Sequence, residues 1–217
     1  MIAVRKEVVF TTARSRALLL LFVVALLAIG GAAARAAQSS AIAAGSELLL
    51  GLNADKSEIH WTLDTTLHTV HGTFKFKSGE LRLDPNSGKA SGTIVVAATS
   101  GDSGNEGRDK KMHGEVLESA HYQDIVFKVD RVEGKVAPTG SSSVMLHGVL
   151  TLHGAEHEFG LPIQAELTGD HWKATAKFSI PFLKWGLKNP STWILKVKPD
   201  VNLEAEITGT LKPAPGN

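Results

Sequence analysis

Cysteine is absent from all 217 residues. Its absence excludes a disulfide-stapled scaffold, a thiol nucleophile, and the lipid attachment that anchors bacterial lipoproteins through their first residue. Burial alone must hold the fold together. Also missing are a G-x-S-x-G elbow, a Walker loop, an H-E-x-x-H pair and a dinucleotide fingerprint, which leaves catalysis without a named carrier and no cofactor to expect. Charge of one sign is lacking too. The whole chain has a formal net charge of +1, with no basic stripe, so nucleic acid and anionic membrane surfaces are not expected partners on overall electrostatics.

A long hydrophobic run occurs once, at the N-terminus. Arg5, Lys6, Arg14 and Arg16 precede "ALLLLFVVALLAIGGAAA", and the small-residue stretch "AAARAAQ" follows. This order is that of a secretory signal peptide. Its dense apolar part, residues 17–29, is shorter than the roughly 20 residues a bilayer-spanning helix needs, and Ala34-Arg35-Ala36 offers an A-x-A cleavage site. An uncleaved anchor is the rival, since residues 30–34 extend the apolar run to a marginal span. Cleavage after Ala36 removes five basic residues and one acidic, leaving 18 against 21 and a net charge of −3. The expected organisation is a signal peptide over 1–36, a small, polar linker over 37–56, one domain over 57–211 and a flexible tail over 212–217. The expected location is periplasmic or secreted, with no stable membrane insertion after cleavage.

Within the domain, period-two alternation dominates, as a strand with one buried face requires. Ile59, Trp61 and Leu63 alternate with polar residues. Val70, Phe74 and Phe76 mark a second strand, Leu81 and Leu83 a third, and Ile94, Val96 and Ala98 a fourth, with "DPNSG" as a turn. Further strands follow around Phe127, around Leu146, Leu150 and Leu152, around Phe159, Leu161 and Ile163, around Trp172 and Phe178, and around Leu203. Turns at "HGAEH" and "TGDH" make neighbours antiparallel. About eight one-sided strands need a covering sheet or closure into a barrel, whose interior holds either side chains or one small ligand. Trp61, Phe74, Phe76, Phe127, Leu150, Leu152, Phe159, Leu161, Ile163, Trp172 and Phe178 are expected to point inward, with Lys75, Lys128, Gln164 and Lys173 outward.

The alternation stops at "GNEGRDKKMHGEVL", residues 104–117. Asn105 is a good N-cap, and Met112 and Val116 are four apart, which predicts one short helix between the fourth and fifth strands. Its two glycines each cost about 1 kcal/mol relative to alanine, so it needs an apolar surface to rest on, and the open end of a barrel supplies one. Asn105, Arg108 and Asp109 are expected to anchor this lid to the rim, with contact to a ligand headgroup as the alternative role.

Four stretches carry a resemblance. "GNEGRDKKMHGEVLESAHYQDIVF" resembles the central motif of the YceI-like family. "TVHGTFKFKSGELRLDP" is similar to its early hairpin, "LHGVLTLHGAEHEFGLPI" to its Gly-x-Leu-Thr-Leu-x-Gly hairpin, and "FSIPFLKWGL" to its late aromatic-Gly-Leu element. The resemblance implies an all-β fold, an extended lipocalin-like antiparallel barrel whose apolar tunnel holds an isoprenoid or other long-chain lipid. It implies ligand-lining roles for the inward residues above together with Met112 and Val116, and leaves a homodimer open. Two departures stand out: Tyr122-Gln123 where the family has Tyr-Pro, and the elaborated "KWGLKNPSTWILKVKPD", whose Trp185 and Trp193 could line or cover one mouth.

Three function classes follow. The first is an exported lipid carrier or buffer, not an enzyme. The second is a His-dependent metal protein or enzyme, which requires at least two of His60, His68, His71, His113, His147, His153 and His157 to converge. The third is a filled structural barrel.

Overall fold

The computed structural model describes residues 47–214. The expected signal peptide, the first half of the expected linker and the last three residues of the tail lie outside them. Among the described residues nine strands run in chain order: β1 Leu48–Leu52, β2 Glu58–Asp64, β3 Thr69–Leu83, β4 Lys89–Asp102, β5 Asp124–Glu133, β6 Gly140–Leu152, β7 Ala155–Thr168, β8 His171–Ile180 and β9 Val201–Pro213. Between β4 and β5 lies α1, Glu106–Lys111, which runs on into a π-helical turn, Met112–Val116.

The sheet closes on itself. Each strand from β3 to β9 pairs antiparallel with the next, and β2 joins β9 back to β3. Strand β1 pairs with the same two neighbours further along, Leu50 standing opposite both Leu81 and Leu211. Thus β1 and β2 form one broken stave of an eight-stave barrel, interrupted by a 3₁₀ turn at Ala54–Lys56. Residues 48–56 are therefore part of the wall rather than of a linker. Their Leu-Leu-Leu-Gly-Leu sequence hides its role because it carries no alternation. At the other terminus, Lys212 and Pro213 belong to β9 rather than to the tail.

The segments read from sequence as a second and a third strand are one continuous strand. Buried Val70, Phe74 and Phe76 occupy even positions, and Leu81 and Leu83 face inward from odd ones. A register shift against β4 between Phe76 and Ser78, where β3 advances two residues to one on its neighbour, explains the change. A bulge inserts one extra residue and so flips every side chain beyond it to the other face. Strand β5 does the same, with Phe127 and Val129 before a shift and Val132 after it.

Two hairpins have two-residue turns. His153 and Gly154 both have positive φ, 51° and 75°, the primed turn that continues strand twist. Gly169 and Asp170 join β7 to β8. Lys75, Lys128, Gln164 and Lys173 are exposed, as alternation requires.

The connections sort to two ends. At one, called the upper end here, lie the β2–β3 loop, α1, the His153-Gly154 turn and the long β8–β9 connection. At the lower end lie the β3–β4, β5–β6 and β7–β8 turns and the outer ends of β1 and β9.

Candidate functional site: an apolar cavity beneath the helix

The upper half of the barrel is hollow. A cavity of about 460 Å³ lies inside it, within the roughly 300–1,000 Å³ typical of small-molecule sites. Eleven of the thirteen residues expected to line the interior do so: Trp61, Phe74, Phe76, Met112, Val116, Phe127, Leu150, Leu152, Phe159, Leu161 and Phe178. The exceptions are Ile163 and Trp172. Both are buried, but neither borders the cavity. Trp172 lies across Gly209, its partner on β9, where a Cβ would sit 2.5 Å from the indole, and its Nε1 donates to the Thr210 carbonyl at 3.1 Å. Alternation reports which face is inward, but not whether anything fills the space in front of it.

The helix closes the upper end. Asn105 accepts a hydrogen bond from the Arg108 amide at 3.0 Å, the N-cap its sequence position predicts. Arg108 donates through Nε to the Ser103 hydroxyl (2.7 Å) and through Nη2 to the Ser103 carbonyl (2.9 Å). Asp109 accepts from the Ser103 amide at 3.0 Å and from its hydroxyl. Arg108 and Asp109 thus tie the helix to the residue that follows β4, while Asn105 caps the helix itself, and Arg108 also borders the cavity.

The π turn follows because the Leu117 amide donates to the Met112 carbonyl, five residues back. With more than four residues per turn, Met112, Val116 and Leu117 all reach the cavity. A Cβ added at Gly101 would lie 2.7 Å from Phe74 Cε1 and 2.9 Å from Met112 Cε, so the glycine is what lets the lid seat. The π turn is pinned by His113, a role that its sequence position did not announce. His113 donates from Nε2 to the Gly101 carbonyl (2.8 Å), and its Nδ1 lies 2.9 Å from the hydroxyl of buried Ser119.

The long β8–β9 connection completes the mouth. Phe182 and Leu187 are buried and border the cavity, as do Pro190, Leu195 and Val197. These were not expected from sequence, because the segment has no period. Its tryptophans do something else. Trp185 stacks on His157 (ring centroids 4.0 Å, 5° between planes) and meets Phe159 edge-on, while Trp193 is 90% exposed. Neither lines the cavity. Helix and connection are stitched together by Lys111 Nζ donating to the Pro190 carbonyl (2.9 Å) and by Lys188 Nζ on Glu115 (2.7 Å), while Lys198 Nζ holds Asp64 at 3.0 Å. Lys188 and Lys198 hold the carboxyls of Glu115 and Asp64 below the usual carboxylate range, chiefly by hydrogen bonding.

The histidines do not assemble a centre. His60 pairs with Glu58 and His147 with Glu133, and His71 bonds to Thr62. His153 bonds to Glu118 and packs on Tyr122, and His157 stacks on Trp185. Among the described residues no group of three or more His, Asp or Glu is placed to hold a metal ion.

Two solved structures share the fold. BcnA of Burkholderia cenocepacia superposes with a TM-score of 0.61 at 16% identity, over 72% of this chain and 98% of that one. A polyisoprenoid binding domain from Saccharophagus degradans, implicated in plant cell wall breakdown, superposes with a TM-score of 0.55 at 14% identity, over 75% of this chain and 98% of that one. A comparison with curated protein sequences finds no match. The sequence profile of the YceI-like domain matches residues 51–209, from the broken first stave to the last strand, and the chain belongs to the YceI-like family.

Proposed function

We propose that this barrel binds a long apolar lipid of the polyisoprenoid class in its upper cavity and serves as a carrier or buffer for it, without catalysing a reaction. The observation that carries the reading is the cavity itself: an apolar hollow under a helical lid. A chain that lost so much apolar contact would be better packed if nothing were to occupy the space. Arg108 and Lys111 are the cationic residues bordering the hollow, both at its mouth, which suits a ligand with a polar end there and a hydrocarbon body within. The kinship with a polyisoprenoid binding domain supports the ligand class. The N-terminal residues support export, with a mature protein beginning near Ala37, which the intact mass of the secreted or periplasmic form tests.

The decisive measurement is organic extraction and native mass spectrometry of the purified protein and of Met112→Asp. The substitution puts an unpaired charge against the apolar hollow, which disfavours an apolar ligand far more than it disturbs strands that bury most of the core. The expected outcome is a co-purifying lipid in the parent protein and its loss from the variant, with the fold retained. Wild-type lipid stoichiometry in Met112→Asp would remove the helix from the site. No lipid in either protein would favour a structural barrel.

A further inference from the structure

Three large apolar side chains stand exposed at one place on the molecule: Trp193 at 90%, Ile194 at 69% and Leu67 at 65%. Trp193 and Ile194 are the central residues of a tight turn, closed by the Thr192 amide on the Leu195 carbonyl (2.8 Å) and by the Leu195 amide on the Thr192 hydroxyl (3.1 Å). Such positions favour glycine, asparagine, aspartate and proline, not the largest apolar residues. Leu67 is brought beside them because the β2–β3 loop pairs with the same connection. Thr65 bridges to Val197, and the Thr66 amide donates to the Lys196 carbonyl at 2.9 Å. The residues flanking the tip, Thr192 and Leu195, border the cavity, as do Thr65 and His68 on the facing loop. The exposed patch is therefore the outer lip of the cavity mouth.

Charge segregates there. The segment from Lys184 to Lys198 holds four lysines and no acidic residue, in a domain that is otherwise slightly acidic. Lys188 and Lys198 are engaged by Glu115 and Asp64. Lys184 and Lys196 are exposed and have no acidic partner among the described residues.

We propose that this lip is a membrane-docking edge: Trp193, Ile194 and Leu67 enter the headgroup boundary of an anionic bilayer while Lys184 and Lys196 meet lipid phosphates, setting the cavity mouth against the lipid. Tryptophan favours that boundary, apolar side chains there replace water by acyl chain, and each lysine near an anionic surface adds attraction. The overall charge argues against a membrane partner only if charge is spread evenly, and here it is not. A lip of this kind gives a long apolar ligand a route between bilayer and barrel that avoids open water. Docking itself does not depend on what the cavity holds, so it can fail or succeed independently of the proposed lipid ligand.

The test is co-sedimentation of residues 44–217 with vesicles of phosphatidylcholine alone and of phosphatidylcholine with phosphatidylglycerol. All nine strands fall inside that stretch and close on one another, so it folds without the apolar N-terminal run that would itself bind vesicles. The parent is expected to bind the anionic vesicles more tightly, with a blue-shifted tryptophan emission. The double variant Trp193→Ser/Ile194→Ser is expected to bind at least about tenfold more weakly, with unchanged melting temperature because both side chains are already in water. Lys184→Gln and Lys196→Gln are each expected to weaken anionic-vesicle binding by about fivefold and leave phosphatidylcholine binding unaltered. Tyr122→Ser, at another exposed aromatic, should change nothing. No vesicle binding by the parent, or equal binding by the double variant, overturns the proposal. So does a concentration-dependent dimer that the double variant abolishes without any vesicle binding, because the lip would then be a contact between copies of this chain.

Discussion

The two halves of the barrel solve the same packing problem differently. Each carries a tryptophan laid across a cross-strand glycine: Trp61 on Gly72 in the upper half and Trp172 on Gly209 in the lower. In the lower half the indole nitrogen has its acceptor, the Thr210 carbonyl, whereas Trp61 Nε1 is buried with no partner among the described residues. Also in the lower half, the side chains of Leu48, Leu83, Leu146, Ile163 and Leu167, on β1, β3, β6 and β7, are buried, and none borders the cavity. Around Trp61, equally apolar residues line the cavity. The lower half has a satisfied, filled core that keeps the barrel closed. The upper half gives up side-chain contacts to keep a space open, as sites that must accept a ligand commonly do.

The largest effect that separates the halves is expected from Trp172→Ala and Phe178→Ala. Trp172 touches filled core, so truncation should leave a cavity and cost about 3–5 kcal/mol in chemical denaturation. Phe178 already faces the hollow, so its truncation enlarges an existing space and should cost less than half as much in delipidated protein. Its bound lipid should change instead. Equal losses of stability in the two variants would mean that the hollow is not a distinct region.

A smaller contrast comes from adding a methyl group in place of removing side chains. A Cβ at Gly209 would lie 2.1 Å from the Gly51 carbonyl oxygen and 2.5 Å from the Trp172 ring, both fixed in place. Gly209→Ala should therefore cost about 1–3 kcal/mol by overpacking. At Gly101 the clash is with Met112 Cε, the end of a flexible side chain that borders free space, and with Phe74, which borders it too. Gly101→Ala should cost under about 1 kcal/mol, yet shift the lid enough to lower lipid occupancy. Thermal melts with lipid quantification read both.

The same division explains what was legible in the sequence. Alternation placed the inward faces of the strands correctly, and Asn105 announced the helix. Parity also misled where the chain bulges: Phe76 and Leu81 sit on one face five residues apart, which no period-two reading can join. The strand at Leu48–Leu52 has four leucines in five residues, so it offered no period at all. Ile163 and Trp172 alternate just as Leu161 and Phe178 do, and only their height in the barrel decides which border the cavity. The lip residues Trp193 and Ile194 lie in a segment without periodicity, where composition drew attention to them but gave no direction. His113 stood out only as a candidate for a histidine centre, and its bond to Ser119 was not foreseen because it depends on the π turn, which local propensity does not predict.

The smallest expected effect concerns the ion pairs that tie the β8–β9 connection to the lid and to the end of β2, both in the upper half. Lys188 lowers the Glu115 carboxyl below its ordinary value of 4.5, and Lys198 together with Thr69 lowers that of Asp64 below 3.8. Each folded-state value lies under its unfolded one, so the stabilisation is complete above the unfolded value and is lost as pH falls through the folded one. Acidification below about 4 should therefore loosen the mouth before it unfolds the barrel. Both pairs are solvent-exposed, so the loss is slight and further reduced by salt. Hydrogen exchange resolves it: amides between residues 188 and 198 should lose protection in mild acid while those of β6 and β7 near the lower end keep theirs. Glu115→Gln should bring the same loss at neutral pH for the helix contact alone. Uniform loss of protection across both ends would make the mouth no more mobile than the core, and the two halves would then differ in packing but not in dynamics.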